Sequence, residues 1–216
     1  MTLESSKTLG GIGAILLFIG VIPILQYLWV IGIVGAILIM VALHDFANVY
    51  KESGIFSNAI YGVVIAIVGG IVAAVLALAV VLTNLKDFIT QIYPGWNGDW
   101  STLQGMTPNT SNIDPTTIFP FIAGLLVVLI IVWIFAIIAA FFVWRSLKQV
   151  SNKSSVGLFG TAGLILLIGA IIPIFGLILM WISALMLAIA FFTLKPQEQP
   201  MQPMQPMMPP AQPTPV

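Results

Sequence analysis

The chain has 216 residues, of which 60% are hydrophobic and only 6% charged, with seven basic and seven acidic groups in balance. A soluble domain of this size has too much surface to cover with so few charges, since about a quarter of residues are charged in ordinary globular proteins. Zero net charge excludes a bulk field that steers nucleic acid, and the absence of cysteine excludes disulfides, thiolate metal sites and thiol nucleophiles.

The apolar runs are continuous, without the two-residue alternation of a membrane barrel, so the class is an all-α integral membrane protein. The opening Met1–Lys7 carries both Glu4 and Lys7, and no small-x-small cleavage site closes the run that follows. The first segment is therefore expected to remain as an anchor.

Four apolar stretches follow in chain order: Leu9–Leu43, Ile60–Leu82, Ile118–Trp144 and Leu158–Leu194. The middle two match a single span of about 20 residues with some tilt. The outer two, of 35 and 37 residues, would each reach roughly 52–56 Å as one helix at 1.5 Å per residue. A hydrocarbon core of about 30 Å cannot hide that length. Each must fold back. Pro23 and Pro173 mark the fold-back points, because proline breaks a helix and suits the first turn of the next. The outer stretches read as hairpins over 9–22 with 24–46, and 158–172 with 174–194. Re-entrant hairpins that do not fully cross are the alternative.

Charge selects six crossings over four. With six, Lys7, Lys51, Arg145, Lys148, Lys153 and Lys195 are cytoplasmic and only Lys86 is outside. The positive-inside bias then places both termini in the cytoplasm of a cell-membrane protein. No Asp, Glu, Lys or Arg lies within a span. Residues 1–194 form the six-helix transmembrane domain, with an outside loop over 83–117.

Three cytoplasmic entrances look related: Glu4–Gly13, Lys51–Ala59 and Lys153–Ala162. Each has a serine-containing polar cap, then an apolar residue, then small residues three or four apart. The last two share Gly-[Ile/Leu]-Phe-x-x-Ala at Gly54–Ala59 and Gly157–Ala162. Serine is expected to cap these helices, satisfying amides that lipid cannot. In the third helix, Ala66, Gly70 and Ala74 form one small-residue stripe and Gly69, Ala73 and Ala77 a second. Small residues at this spacing let backbones approach closely in lipid, so the helix is expected to be contacted on two sides.

Chemistry-bearing residues are scarce. Paired carboxylates, metal-ligand clusters, phosphate loops and nucleophile elbows are missing, so no catalytic, cofactor-binding or metal-ligating residue is nominated and no enzyme is expected. His44 ends the second helix beside Asp45, where the helix dipole favours it. A single histidine cannot make a metal site, and its role reads as structural. The outside loop holds Tyr93-Pro-Gly-Trp96-Asn-Gly-Asp99-Trp100, dense in turn residues and aromatics. Its aromatics suit the headgroup belt, with an external binding site as the other reading. Asn109-Thr110-Ser111 matches a glycosylation acceptor on the outer side. The cations of 144–157 orient the chain, and would also hold anionic headgroups.

The tail, residues 195–216, is rich in proline, glutamine and methionine, with Gln-Pro-Met repeated at 199–201, 202–204 and 205–207. It reads as a disordered or polyproline II cytoplasmic segment with Met201, Met204 and Met207 along one edge. An unstructured spacer, a ligand for a cytoplasmic groove and thioether capture of Cu(I) are the three readings.

Taken with these entries, the opening Glu4-Ser-Ser-Lys-Thr-Leu-Gly-Gly-Ile-Gly-Ala-Ile-Leu16 resembles an archaeal family of multi-spanning proteins of unknown function, domain-of-unknown-function family 996. The likeness covers residues 3–194 and excludes the tail. It implies an archaeal cell membrane and brings no catalytic residues. The expected function is a non-enzymatic scaffold or accessory subunit of a membrane complex, with a channel or carrier for an uncharged or lipidic substrate as the alternative. Partners expected are the bilayer, a second copy or other membrane subunits through the small-residue faces, and a cytoplasmic protein for the tail.

Overall fold

Helices dominate because nearly every segment between the turn-forming residues is long, apolar and poor in internal breakers. The structure, a computed structural model, describes residues 3–20, 29–109, 111, 114–173 and 175–195. It contains α1 (Leu3–Gly20), α2 (Trp29–Val49), α3 (Ser53–Ile92), α4 (Pro115–Ser154), α5 (Gly157–Ile171) and α6 (Gly176–Thr193). A 3-10 helix over Trp100–Gly105 lies in the loop between α3 and α4, and the described residues contain no strand. Five of the α-helices are long and apolar enough to cross a membrane; α5, with 15 residues, is not. The principal helix contacts close a ring in chain order, each helix against the next and α6 back against α1.

One end of the ring is solid. Phe46 from α2, Phe159 from α5 and Phe191 from α6 are fully buried there. Their ring centroids stand 5.1, 5.8 and 6.5 Å apart. Ala14 of α1, Ile55 of α3, and Leu147 and Val150 of α4 join them in one core cluster. Every helix thus contributes to the plug. In lipid such packing is driven by dispersion between well-matched surfaces, because lipid tails are as apolar as leucine.

Serine hydroxyls tie three of the sequential pairs, α1–α2, α3–α4 and α5–α6, at this end. Ser6 Oγ donates to the Asp45 carboxylate at 2.8 Å, joining α1 to α2. Ser146 Oγ donates to the Ile55 carbonyl at 2.6 Å, joining α4 to α3. Ser183 Oγ donates to the Ala162 carbonyl at 2.8 Å, joining α6 to α5. Close backbone approach makes room for these bonds. A Cβ built on Gly13 would sit 2.7 Å from the Gly35 carbonyl oxygen, so no larger residue fits between α1 and α2.

Three expectations need correction. The helices expected over 60–82 and 118–144 run to 40 residues each. Lys86, Asp87 and Arg145 lie on their extensions, because charge marks where a helix leaves the bilayer, not where it stops. Serine does not cap α3 or α5, whose N-cap residues Glu52 and Val156 make no side-chain cap bond. Ser154 Oγ instead accepts from the Val156 amide at 3.3 Å, one position earlier. The third correction concerns α3, which is contacted along one of its two small-residue stripes. Gly69 and Ala73 are buried, whereas Ala66, Gly70 and Ala74 are exposed. The fold-back at Pro173 falls between α5 and α6 as expected. Pro23 and the tail beyond 195 lie outside the described residues.

The adjacent glycines of α3 give a direct check. A Cβ on Gly69 would sit 2.5 Å from the Phe135 Cβ of α4, while one on Gly70 would meet nothing within 4 Å. Gly69→Leu is expected to lower stability in detergent by about 1–3 kcal/mol. Gly70→Leu should leave it unchanged or slightly raised, since leucine favours helix over glycine. Equal shifts in the unfolding midpoints would contradict the α3–α4 register.

Candidate functional site

The ring does not keep its height. Trp133 lies near the middle of α4, and its indole Nε1 donates to the Ala170 carbonyl of α5 at 2.8 Å. Ala170 is in the last turn of α5, next to the α5–α6 turn at Pro173. The tip of this hairpin therefore stops about halfway up α4. From Leu129 to Ile118, roughly 16 Å of apolar helix rises beyond it at 1.5 Å per residue. On the other flank, Trp181 Nε1 donates to the Phe18 carbonyl of α1 at 3.1 Å, with the two rings stacked 4.5 Å apart. So Phe18, near the last described residue of α1, stands beside the first turns of α6.

Both indoles serve the same chemical need. The last carbonyls of a helix have no partner within it, and an apolar solvent offers none. Trp133 supplies a donor at the end of α5, and Trp181 gives the Phe18 carbonyl of α1 a donor from α6.

Where the short hairpin abuts α4, an apolar cavity of about 600 Å³ opens beside Leu129, Ile130, Trp133, Pro173, Leu177 and Met180. Beyond it α3 and α4 run on as a two-helix pair, held by Phe88 against Phe121 at 4.8 Å. Large apolar side chains there lie bare: Leu82 is 76% exposed, Phe119 69% and Leu129 63%. Among the described residues, the step where α5 and α6 end against α4 is the most distinctive surface.

The opposite end, called the base here, carries the charges. Lys7 Nζ donates to the Leu194 carbonyl at 2.7 Å, and Lys153 pairs with Glu52 at 3.2 Å. Lys148 sits 5.0 Å from the Trp144 ring centroid and Arg145 6.0 Å from that of Phe141. Both charged heads thus lie over aromatic faces of their own helix. His44 has its Nδ1 3.7 Å from Asp45 and its ring edge-on to Phe56 at 4.7 Å. With Asn48, Lys51 and Ser57 it lines a polar recess of about 440 Å³. Among the described residues, no three metal-ligating side chains gather.

At the far end the loop folds on itself. Trp96 is buried and donates from Nε1 to the Asp99 carbonyl at 2.8 Å, while Trp100 packs against it and stays exposed. Gly95 and Gly98, at φ 90° and 100°, take backbone shapes that side chains disfavour. Asp99 caps the 3-10 helix and Asp114 caps α4. The amides of Ser101 and Thr116, then their hydroxyls, hold these two carboxyls below the usual carboxylate range. Of the acceptor tripeptide, Thr110 lies outside the described residues, and Asn109 Oδ1 accepts from the Ser111 amide at 3.0 Å.

Comparison with known proteins gives a family. The family model described as a protein of unknown function, DUF996, matches residues 31–185, well over half of the chain. This chain belongs to the DUF996 family. An uncharacterized protein of Methanocaldococcus jannaschii is 27% identical over 198 residues, covering 90% of this chain and 94% of that protein. No solved structure matches.

Among the sequence expectations, only the re-entrant alternative for the outer hairpins touched on the step of this DUF996 protein. Its signal was present: Trp133 and Trp181 sit inside apolar runs, away from the ends where tryptophan usually gathers. Trp133→Phe keeps the ring and removes the donor. The variant is expected to lose about 1–3 kcal/mol of stability in detergent, the usual cost of an acceptor left bare. No loss would mean that the Ala170 carbonyl finds another partner.

The outer caps have a pH dependence. Because the folded carboxyls of Asp99 and Asp114 titrate below the ordinary value of 3.8, their contribution is complete above that value. It is lost as the pH falls through the lowered ones. The Ser101 and Thr116 amide resonances should therefore shift with midpoints below 3.8. A midpoint above 3.8 would contradict the caps.

Proposed function

We propose that this DUF996 protein is a non-enzymatic membrane scaffold or accessory subunit, in which α3 and α4 cross the bilayer and the other four helices enter it from the cytoplasmic side. The height of the step carries this reading. From the level of Trp133 out to Leu82 of α3 and Ile118 of α4 the exposed side chains are apolar, so this stretch needs hydrocarbon around it. Hydrocarbon at that depth leaves the α5–α6 tip near mid-membrane. Of the two arrangements for the outer hairpins, full crossing and re-entry, this geometry favours re-entry. Either arrangement returns the chain to the same side. Lys7, Lys51, Arg145, Lys148, Lys153 and Lys195 all lie at the base or on the helix ends leading to it, which the positive-inside bias puts in the cytoplasm with both termini.

The scaffold reading draws on the sealed base. Three phenylalanines fill the ring there, and the spans carry no charged group to line a hydrated path. A carrier for a lipidic substrate is the second reading, favoured by the apolar cavity beside Trp133. Cysteine scanning suits a chain without thiols. Asp99→Cys should react with an impermeant maleimide on intact cells, and Asn152→Cys only after permeabilisation. Ile172→Cys and Phe175→Cys should resist both until detergent is added. External labelling at 172 or 175 would show full crossing; external labelling at 152 would invert the topology. Isolation from native membranes addresses the scaffold: a partner or second copy should come along in stoichiometric yield, and a solitary monomer would count strongly against it.

A further inference from the structure

We infer that the protein is a leaflet-selective wedge, which bends the bilayer toward the cytoplasm and concentrates where it is already bent that way. The inference rests on the re-entrant reading above. At base level the cross-section holds six helices, all in contact around one ring. Beyond the Trp133–Ala170 bond α5 and α6 have ended while α3 and α4 continue. At helix diameters of about 10–12 Å, those two short helices alone add roughly 160–230 Å² to one leaflet and nothing to the other. Area inserted on one side of a sheet relaxes by curving it, convex toward that side.

Two further observations suit the device. A wedge must be stiff at its broad end, and the largest fully buried side chains, from Phe46 to Ser146, all lie at the base. It must also end inside hydrocarbon without exposing bare polar backbone, which the Trp133 donor accomplishes for α5. The ligand of this surface is the bilayer, sensed through the difference between its two leaflets. A second copy or a partner helix covering the step would equalise the halves and remove the effect.

Reconstitution of the full chain into vesicles of two sizes tests it. Asn152→Cys reports which way each molecule faces, since only molecules with the base outward react with impermeant maleimide. The outer leaflet of a small vesicle is the roomier one. The base-outward fraction should therefore rise by about twofold or more from large extruded to small sonicated vesicles of the same lipid, as a population shift toward the favoured curvature. An equal fraction at both sizes would overturn the wedge. Ile172→Cys, run in parallel, separates the two readings. Labelling at 172 from bulk water shows that the hairpins cross, so that the topology itself is wrong. Silence at 172 with equal orientation at both sizes removes the wedge alone.

Discussion

A backbone carbonyl that no water can reach must find another donor, and one such carbonyl, at the end of α5, marks the uneven height of this fold. A helix that reaches the far interface leaves its last carbonyls to water. A helix that stops sooner cannot. The Ala170 carbonyl sits in the last turn of the short helix α5 and receives the indole N–H of Trp133, and the Phe18 carbonyl of α1 receives that of Trp181. Without the Trp133 bond, the Ala170 carbonyl would be left bare at the end of α5, at several kcal/mol in an apolar solvent.

The same constraint explains where polar side chains are spent. Three buried serines lock three of the sequential pairs at the base, two of them by donating to backbone carbonyls already bonded within their helices. Such bonds ask for no buried charge and leave no donor unmet. Close contact does the rest. Gly13 and Gly35 bring α1 against α2, and Gly69 receives the Phe135 side chain. Aromatic volume then fills the space that six helices leave between them. A ring of six needs large side chains at its centre, and the phenylalanine triad of α2, α5 and α6 supplies them.

Much of this was legible. Hydropathy gave the helical class, the fold-back at Pro173 and the gathering of cations at one end, because each follows from the chain's own length and charge. The family resemblance rested on the glycine-rich opening and was met by the match over 31–185. Two things were hidden for physical reasons. Apolar runs measure what lipid tolerates, so the full length of α3 and α4, which continue through Lys86 and Arg145, did not show. Relative height is a tertiary property. Fifteen apolar residues read the same whether their end meets water or stops beside Trp133. The two stripes of α3 were indistinguishable for a related reason: glycine and alanine record close approach as an option, and only the register with α4 decides that Gly69 is used and Gly70 is bare.

The uneven height also divides the molecule mechanically. At the base, each helix is held by at least two neighbours, a shared core and hydrogen bonds. Beyond the step, α3 and α4 have only each other, through Gly124 against Val80 and Phe88 against Phe121. Their far ends are closed by a loop that bonds mainly to itself, fixed to α3 by the Asn109 amide on the Ile92 carbonyl at 2.7 Å. A two-helix pair of this kind adjusts its tilt to bilayer thickness at a cost of fractions of a kcal/mol per Å of mismatch, whereas a closed ring of six resists it. On the wedge reading, thickness is accommodated by the tall pair and area by the broad base. These two responses to the bilayer are separable, because they reside in different halves of the same two helices.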